Sequence, residues 1–173
     1  AKAIGLVLLA TIVLVLGFAA TRPDSFRLER SVRIQAPPEK IFPLINDLHA
    51  FNTWNPWARK EPSARQTYSG PPQGPGARAA WEGKELGSGS MTITASEPRQ
   101  VTLQLDFLQP FEAHNVAEFM LTPAGDGTNV TWTMHGPANY VTKLMGLVFS
   151  MDAMVGKDFE DILTNLKQLA EAK

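Results

Sequence analysis

The sequence contains no cysteine, so disulfides and thiolate chemistry are excluded, and the redox compartment leaves no signature. Histidine is sparse: His49, His114 and His135 stand far apart in the chain. Zinc needs several ligands of suitable geometry. His114 and His135 fall on neighbouring predicted strands and could approach each other, but surface or strand-end packing is the expected role, and no metal site is assigned. No run of like charge occurs either. Sixteen Lys and Arg face 17 Asp and Glu, for a net charge of −1. A chain without a basic stripe lacks the electrostatic footprint of a nucleic-acid binder. H-E-x-x-H, G-x-S-x-G and P-loop patterns are missing, as are internal repeats, so no catalytic residues and no cofactor are assigned.

What is present starts at the N-terminus. From Ala3 to Ala20 (AIGLVLLATIVLVLGFAA) no charge interrupts the chain between Lys2 and Arg22. At ~1.5 Å per helical residue this run is roughly 27 Å long, close to the thickness of a bilayer's hydrocarbon core. A secretory signal peptide also begins basic and apolar, and Gly17-Phe18-Ala19 could serve as its cleavage site. The run is longer than a signal core, so an uncleaved transmembrane anchor over residues 1–21 is expected. A linker over 22–25 and one domain over 26–173 follow. Arg22, Arg27, Arg30 and Arg33 favour a cytoplasmic domain by charge count, yet long domains translocate regardless of flanking charge. A signal-anchor of this form favours a single-pass protein with an extracytoplasmic (periplasmic) domain; the cytoplasmic face is the alternative.

In the domain, Phe26, Leu28, Val32 and Ile34 alternate with Arg27, Glu29, Arg33 and Gln35, predicting a strand. Arg30 falls on the apolar face, where a bulge or a snorkelling edge residue is expected. Pro37-Pro38-Glu39 reads as a helix start. The helix carries Ile41, Phe42, Leu44 and Ile45, and Pro43 limits it or breaks it into two short pieces. Beyond residue 64 strands alternate with turns. Met91, Ile93 and Ala95 share one face, as do Val101, Leu103, Leu105 and Phe107. Gly125-Asp126-Gly127 is a hairpin turn, after which Val130, Trp132 and Met134 face inward. A first helical segment carries Tyr140, Val141, Leu144, Met145 and Val148. A second carries Met151, Met154, Val155, Phe159, Ile162, Leu163, Leu166 and Leu169 on one face, with a bend expected at Gly156.

Three further features have ordinary explanations. Gly87-Ser88-Gly89-Ser90 resembles a phosphate loop but lacks the following Lys and opens a strand. Asn129-Val130-Thr131 forms a glycosylation sequon inside a strand. Glu118 alternates with Val116 and Met120; an outward-facing charge is expected rather than a general acid of raised pKa.

The stretches FRLERSVRIQAPPEKIFPLINDL, WNPW, GSGSMTITASEP, VTLQLDFLQPF, GDGTNVTWTMHG and MVGKDFEDILTNLKQL, in this order, resemble the START/Bet v 1-like (SRPBCC) superfamily, in its polyketide cyclase/dehydrase-type subset. The resemblance runs from about residue 26 to 170. It implies an α+β helix-grip fold, a seven-stranded antiparallel sheet around a long C-terminal helix closed by two small helices, with an apolar internal cavity. Here the transmembrane helix precedes it. By alternation or by family position, Trp57, Trp81, Phe107, Phe119, Trp132 and Met134 fall near the concave face of the sheet. Met145, Phe149, Met151 and Met154 fall in the helical cover, and these two groups are the candidate ligand-binding residues.

The resemblance does not imply one activity. The first expectation is a membrane-anchored binding module for an apolar small molecule of lipid, quinone or pigment class. The second is a non-catalytic accessory subunit that contacts membrane lipid and packs residues 3–20 into an integral membrane complex. Gly5, Ala10, Thr11 and Gly17 would give it small surfaces for helix packing. The third is a polyketide cyclase-like enzyme.

Overall fold

The computed structural model describes the backbone of residues 2–147 and 151–172, and there the side chains of all but Lys2, Ala3, Met151, Ala153 and Met154. The chain forms α1 (Lys2–Ala20), β1 (Ser25–Ile34), α2 (Pro38–Asn46), α3 (Leu48–Trp54) and α4 (Pro56–Lys60). Strands β2 (Arg65–Ser69), β3 (Arg78–Glu82), β4 (Ser88–Glu97), β5 (Gln100–Gln109), β6 (Ala113–Ala124) and β7 (Gly127–Pro137) follow, then α5 (Tyr140–Met145) and α6 (Met151–Glu171). All seven strands pair antiparallel in the order β1-β7-β6-β5-β4-β3-β2. The first and last strands of the chain therefore meet, and the sheet's inner face takes α6 across it.

Alternation sets that inner face. Val101 and Leu103 of β5, Phe119 and Leu121 of β6, and Val130 and Trp132 of β7 are all buried. They meet Phe159, Ile162, Leu163 and Leu166 of α6, spaced to share one side of the helix, each at most 2% exposed. Burying such a side chain contributes roughly 1.5–3 kcal/mol before the cost of ordering it. Leu169 departs from the expected stripe, being 40% exposed, and Ala170 takes the buried position instead. Helices α2 and α3 close one side with Ile41, Ile45, Leu48, Phe51 and Trp54.

Several local expectations change. Pro43 does not end α2, which runs on to Asn46. The amide that Pro43 lacks would have bonded back to Glu39, an exposed residue whose carbonyl water can reach. Three short helices, not two, precede β2. The register of β4 slips between Ile93 and Ala95, which leaves Ala95 exposed rather than facing in with Met91 and Ile93. Two-to-one pairing at a bulge reverses the alternation beyond it.

Strand β1 has no bulge at Arg30, whose partner is Trp132 in an unbroken register. Its guanidinium pairs with Asp152 and, at 3.5 Å, with Glu160 of α6. Gly156 makes this approach feasible, since a Cβ there would lie 2.8 Å from the Arg30 guanidinium. Helix α6 passes through Gly156 as one element, so the glycine admits a side chain rather than marking a bend. The β6–β7 hairpin closes on Gly125 and Asp126, with Gly125 at φ +61° and no positive φ at any non-glycine residue. That is the pattern of a type II′ turn.

Helix α1 stands apart from the sheet. Its side chains from Ile4 to Phe18 are exposed around the whole circumference, and Ala19 alone is buried. Its last turn touches α5, where the Tyr140 hydroxyl donates to the Leu16 carbonyl at 2.9 Å. Lys143 of α5 pairs with Asp24 in the connection to β1. Among the described residues no helix is long and apolar enough to cross a membrane. This corrects the expected transmembrane span. Helix α1 has 19 residues and is ~28 Å long, just short of a ~30 Å hydrocarbon core.

Candidate functional site

Between the sheet's inner face, α6, and the α3–α4 corner lies a cavity of about 390 Å³, within the range of small-molecule sites. Its deepest wall is an aromatic stack. Trp132 lies 4.0 Å from Phe159 at 16° between planes, and 5.4 Å from Phe119 at 3°. Trp57 of α4 meets the Trp132 ring edge-on at 6.1 Å. A second pair, Trp81 of β3 and Phe107 of β5, packs edge-to-face at 5.8 Å. Such pairings suit the aromatic quadrupole and hold the wall rigid.

Strand geometry explains these placements. Trp132 and Phe119 are cross-strand partners, so adjacent strands deliver both rings to the same face. Trp81 lies opposite Gly89. A Cβ at Gly89 would fall 2.4 Å from Trp81 Cζ2 and 2.5 Å from the Asp106 carbonyl oxygen. The missing side chain therefore lets the indole lie across β4 toward the cavity. Gly89 thus has a packing role within the Gly-Ser-Gly-Ser segment, and the segment opens β4 as expected.

Of the sequence-predicted residues, Trp57, Trp81, Phe107, Phe119, Trp132 and Met134 all line this cavity. Met145 does not. It is 47% exposed on α5, a separate short helix that packs at the base of α1 rather than over the sheet. Phe149 and the side chains of Met151 and Met154 lie outside the described residues. The cavity also takes Phe51, Met91, Leu103, Leu105, Ala117, Val155 and Phe159. Most of these were visible as core by periodicity. Their nearness to a void depends on side-chain volumes across the sheet, which no single segment encodes.

Polar groups at the cavity are few and mostly engaged. Asn55 caps α4, its Oδ1 accepting the Trp57 amide at 3.1 Å. Its amide nitrogen donates to Asn52 Oδ1 at 3.2 Å, and Asn52 donates to the Tyr68 hydroxyl at 2.8 Å. Where the cavity meets solvent, Lys60 of α4 pairs with Asp158 of α6 at 2.8 Å. The β3–β4 connection adds Glu85 and Leu86 to this rim. Glu61, just beyond α4, holds that connection. Its carboxylate accepts the amides of Lys84, Glu85 and Leu86 at 2.8, 3.0 and 3.0 Å. The Leu86 bond first, then those of Lys84 and Glu85, hold its pKa below the usual carboxylate value. A lone glutamate between turns carries no sequence signal for such a role.

One polar atom stands apart. Trp132 Nε1 is the single buried side-chain nitrogen or oxygen without a hydrogen-bond partner among the described residues. An unsatisfied buried donor costs roughly 1–3 kcal/mol.

The histidines lie elsewhere. His49 stacks on Tyr68 at 3.7 Å. His114 meets Asp106 at 2.7 Å and Glu112 at 3.2 Å at the β5–β6 end. Its bond to Asp106, then that to Glu112, raises its pKa above 6.5, while His114 lowers that of Asp106. His135 pairs across to Val116, not to His114. Among the described residues no cluster of three potential metal ligands occurs. Glu118 lies on the opposite side of β6 from buried Ala117 and Phe119, away from the cavity.

A sheet gripping one long helix over an apolar cavity defines an α+β helix-grip domain of ligand-pocket type. Residues 25–171 match the family described as polyketide cyclase / dehydrase and lipid transport, and the chain belongs to it. Among solved structures it is similar to a protein from Mesorhizobium loti at 18% identity and TM-score 0.60, covering 83% of this chain and 96% of that one. The Aha1 dimer from Colwellia psychrerythraea is similar at 20% identity and TM-score 0.59, covering 84% and 96%. The di-domain ARO/CYC protein BexL from the BE-7585A biosynthetic pathway is similar at 14% identity and TM-score 0.58, covering 90% of this chain and 53% of that one. Identities this low establish a common fold. Among curated proteins none matches the chain.

Proposed function

We propose that the chain is a non-catalytic binding module that takes an apolar small molecule into the helix-grip cavity, held at a membrane by α1. The observation that carries this reading is the cavity itself: about 390 Å³, walled mainly by aromatic and aliphatic side chains, with its charged groups where it meets solvent. A scaffold that had lost its ligand would fill that space, since interiors pack densely. A cyclase-like enzyme would need a positioned acid, base or nucleophile among the wall residues. The charged side chains along the lining are Lys60, Glu85 and Asp158 at the rim.

Membrane attachment rests on exposure. Eleven large apolar side chains of α1 are 40–72% exposed, and a helix apolar on every side needs lipid or protein around it. Register places the start of β1, the end of β7, and the β3–β4 and β5–β6 connections at one end of the sheet. The same end carries exposed Leu108, Phe111, Tyr140, Val141 and Met145. With α1 embedded in lipid, this end and the cavity rim at Leu86 would lie near the bilayer surface.

Native mass spectrometry of the full chain, gently released from membranes, tests the reading. A bound apolar molecule of discrete mass is expected. A bare chain bound stoichiometrically to a protein partner would instead favour the accessory-subunit reading, for which Gly5 and Gly17 have open space beside them. We also propose an extracytoplasmic domain. Because the chain has no cysteine, Ser63→Cys gives a unique label site. An impermeant maleimide should react with it only from the extracytoplasmic side of sealed vesicles, and reaction from the cytoplasmic side would reverse the orientation.

A further inference from the structure

Outside α1, seven large apolar side chains are strongly exposed among the described residues. Five of them, Leu108, Phe111, Tyr140, Val141 and Met145, gather at the end of the sheet from which α1 leaves. Scattered exposed apolar residues are ordinary, but a group confined to one end marks a contact surface.

Register sets how far the β5–β6 turn reaches. Ser25, the first residue of β1, pairs with Pro137. Continuing the β6–β7 register past Val116 and His135 brings Pro137 level with His114, and His114 pairs with Asp106. These four residues form one row across the sheet. Leu108 to Phe111 lie beyond the row, on the side from which α1 arrives. At ~3.3 Å per residue, Leu108 is already about 7 Å past Asp106. With strands ~4.8 Å apart, the turn is displaced roughly 12 Å sideways from β1.

The turn suits a lipid surface. Leu108-Gln109-Pro110-Phe111 carries no charge, and all four residues are exposed, Phe111 at 81%. The charges beside it engage one another, since His114 meets both Asp106 and Glu112. The occupant follows from α1: a protein partner covers one side of a helix, whereas α1 is apolar and exposed all round. Where α1 ends, the Arg22 guanidinium lies 5.4 Å over the Phe18 ring, and the Tyr140 hydroxyl donates to the Leu16 carbonyl. An arginine and a tyrosine at the end of an apolar helix fit the headgroup level of a bilayer.

We propose that the β5–β6 turn is a second membrane contact, with Leu108 and Phe111 entering a bilayer beside α1. This rests on α1 lying in lipid and goes beyond it. One helix fixes only where the domain is held, whereas two separated contacts also fix its tilt.

The cysteine-free chain accepts one fluorophore per variant. Phe111→Cys, Val13→Cys and Met120→Cys, full length and labelled with NBD in detergent, are reconstituted into phosphatidylcholine vesicles containing nitroxide-bearing lipid. Met120 is the reference, since it is exposed and pairs with Gln100 at the far end of β5. The probes at 111 and 13 should emit at shorter wavelength than the one at 120 and be quenched by the nitroxides, while the probe at 120 keeps its emission. Quenching at 13 with none at 111 would overturn the second contact and leave α1 in lipid. Equal quenching at 111 and 120 would overturn it as well, because the sheet would then lie flat on the bilayer. No quenching at 13 would overturn both readings.

Discussion

Asp106 and His114 hold each other at 2.7 Å on the side of the hairpin away from the cavity. Removing the carboxylate removes the first cause of the raised histidine pKa. In Asp106→Asn the His114 midpoint should therefore fall toward 6.5, as followed by NMR titration; an unchanged midpoint would show that the pair does not form in solution. The sign matters for stability. A histidine of raised pKa contributes fully below about pH 6.5, and that contribution is lost as pH rises through the folded-state value. At this scale the sequence was most legible where strands alternate. Phe107, Phe119, Trp132 and Met134 each sit where period two puts them, because a strand's pleat leaves no other choice. Met145 was misplaced because its direction depends on where one helix stops and the next begins. No periodicity records that break.

Glu61 ties α4 to the β3–β4 connection through three amides, and so controls an element rather than a residue. Its lowered pKa means that its contribution is present above about pH 4.5 and is lost as pH falls through the folded-state value. Glu61→Gln should accelerate hydrogen exchange at the amides of residues 84–86 near neutral pH. The wild type should approach the variant only in acid, after correction for intrinsic rates. Equal protection at neutral pH would mean that the carboxylate is not what orders the loop. Gly89 makes a comparable demand on β4. Gly89→Ala puts a methyl group where Trp81 and the Asp106 carbonyl already stand. It should cost about 1–3 kcal/mol in chemical denaturation; a neutral result would mean that Trp81 can leave its position freely. Element order and type followed from apolar period and turn chemistry. The β4 bulge and the passage of α2 through Pro43 did not, since both depend on neighbours that absorb a local defect. Arg30 is the instructive case: its charge on an apolar face suggested a bulge or a snorkelling edge residue, and β1 is an unbroken edge strand whose Arg30 reaches acids of α6 beside Gly156.

The whole molecule divides into a folding unit and an attached helix. The core is contained in residues 25–171, and among the described residues α1 meets the domain chiefly through its last turns, against α5. Removing residues 1–15 keeps Leu16 and Ala19 and should yield a monodisperse folded domain without detergent; an aggregated product would mean that α1 belongs to the fold. The helix-grip plan was legible because several separated segments agree on it. The membrane span was not, since a helix of 19 residues lies at the lower limit of what crosses a bilayer and composition alone does not settle such a case.

The central claim is that the cavity receives an apolar ligand, and the protein reports on it directly. Trp57, Trp81 and Trp132, three of its four tryptophans, line the space, as does Ala117 on β6. Titrating the full chain with fluorenone while following tryptophan fluorescence should give saturable one-to-one quenching. Ala117→Phe, which fills the cavity from its wall, should abolish saturation while the domain stays folded by circular dichroism. Unsaturable quenching in the wild type, or identical saturation in the folded variant, would contradict the account.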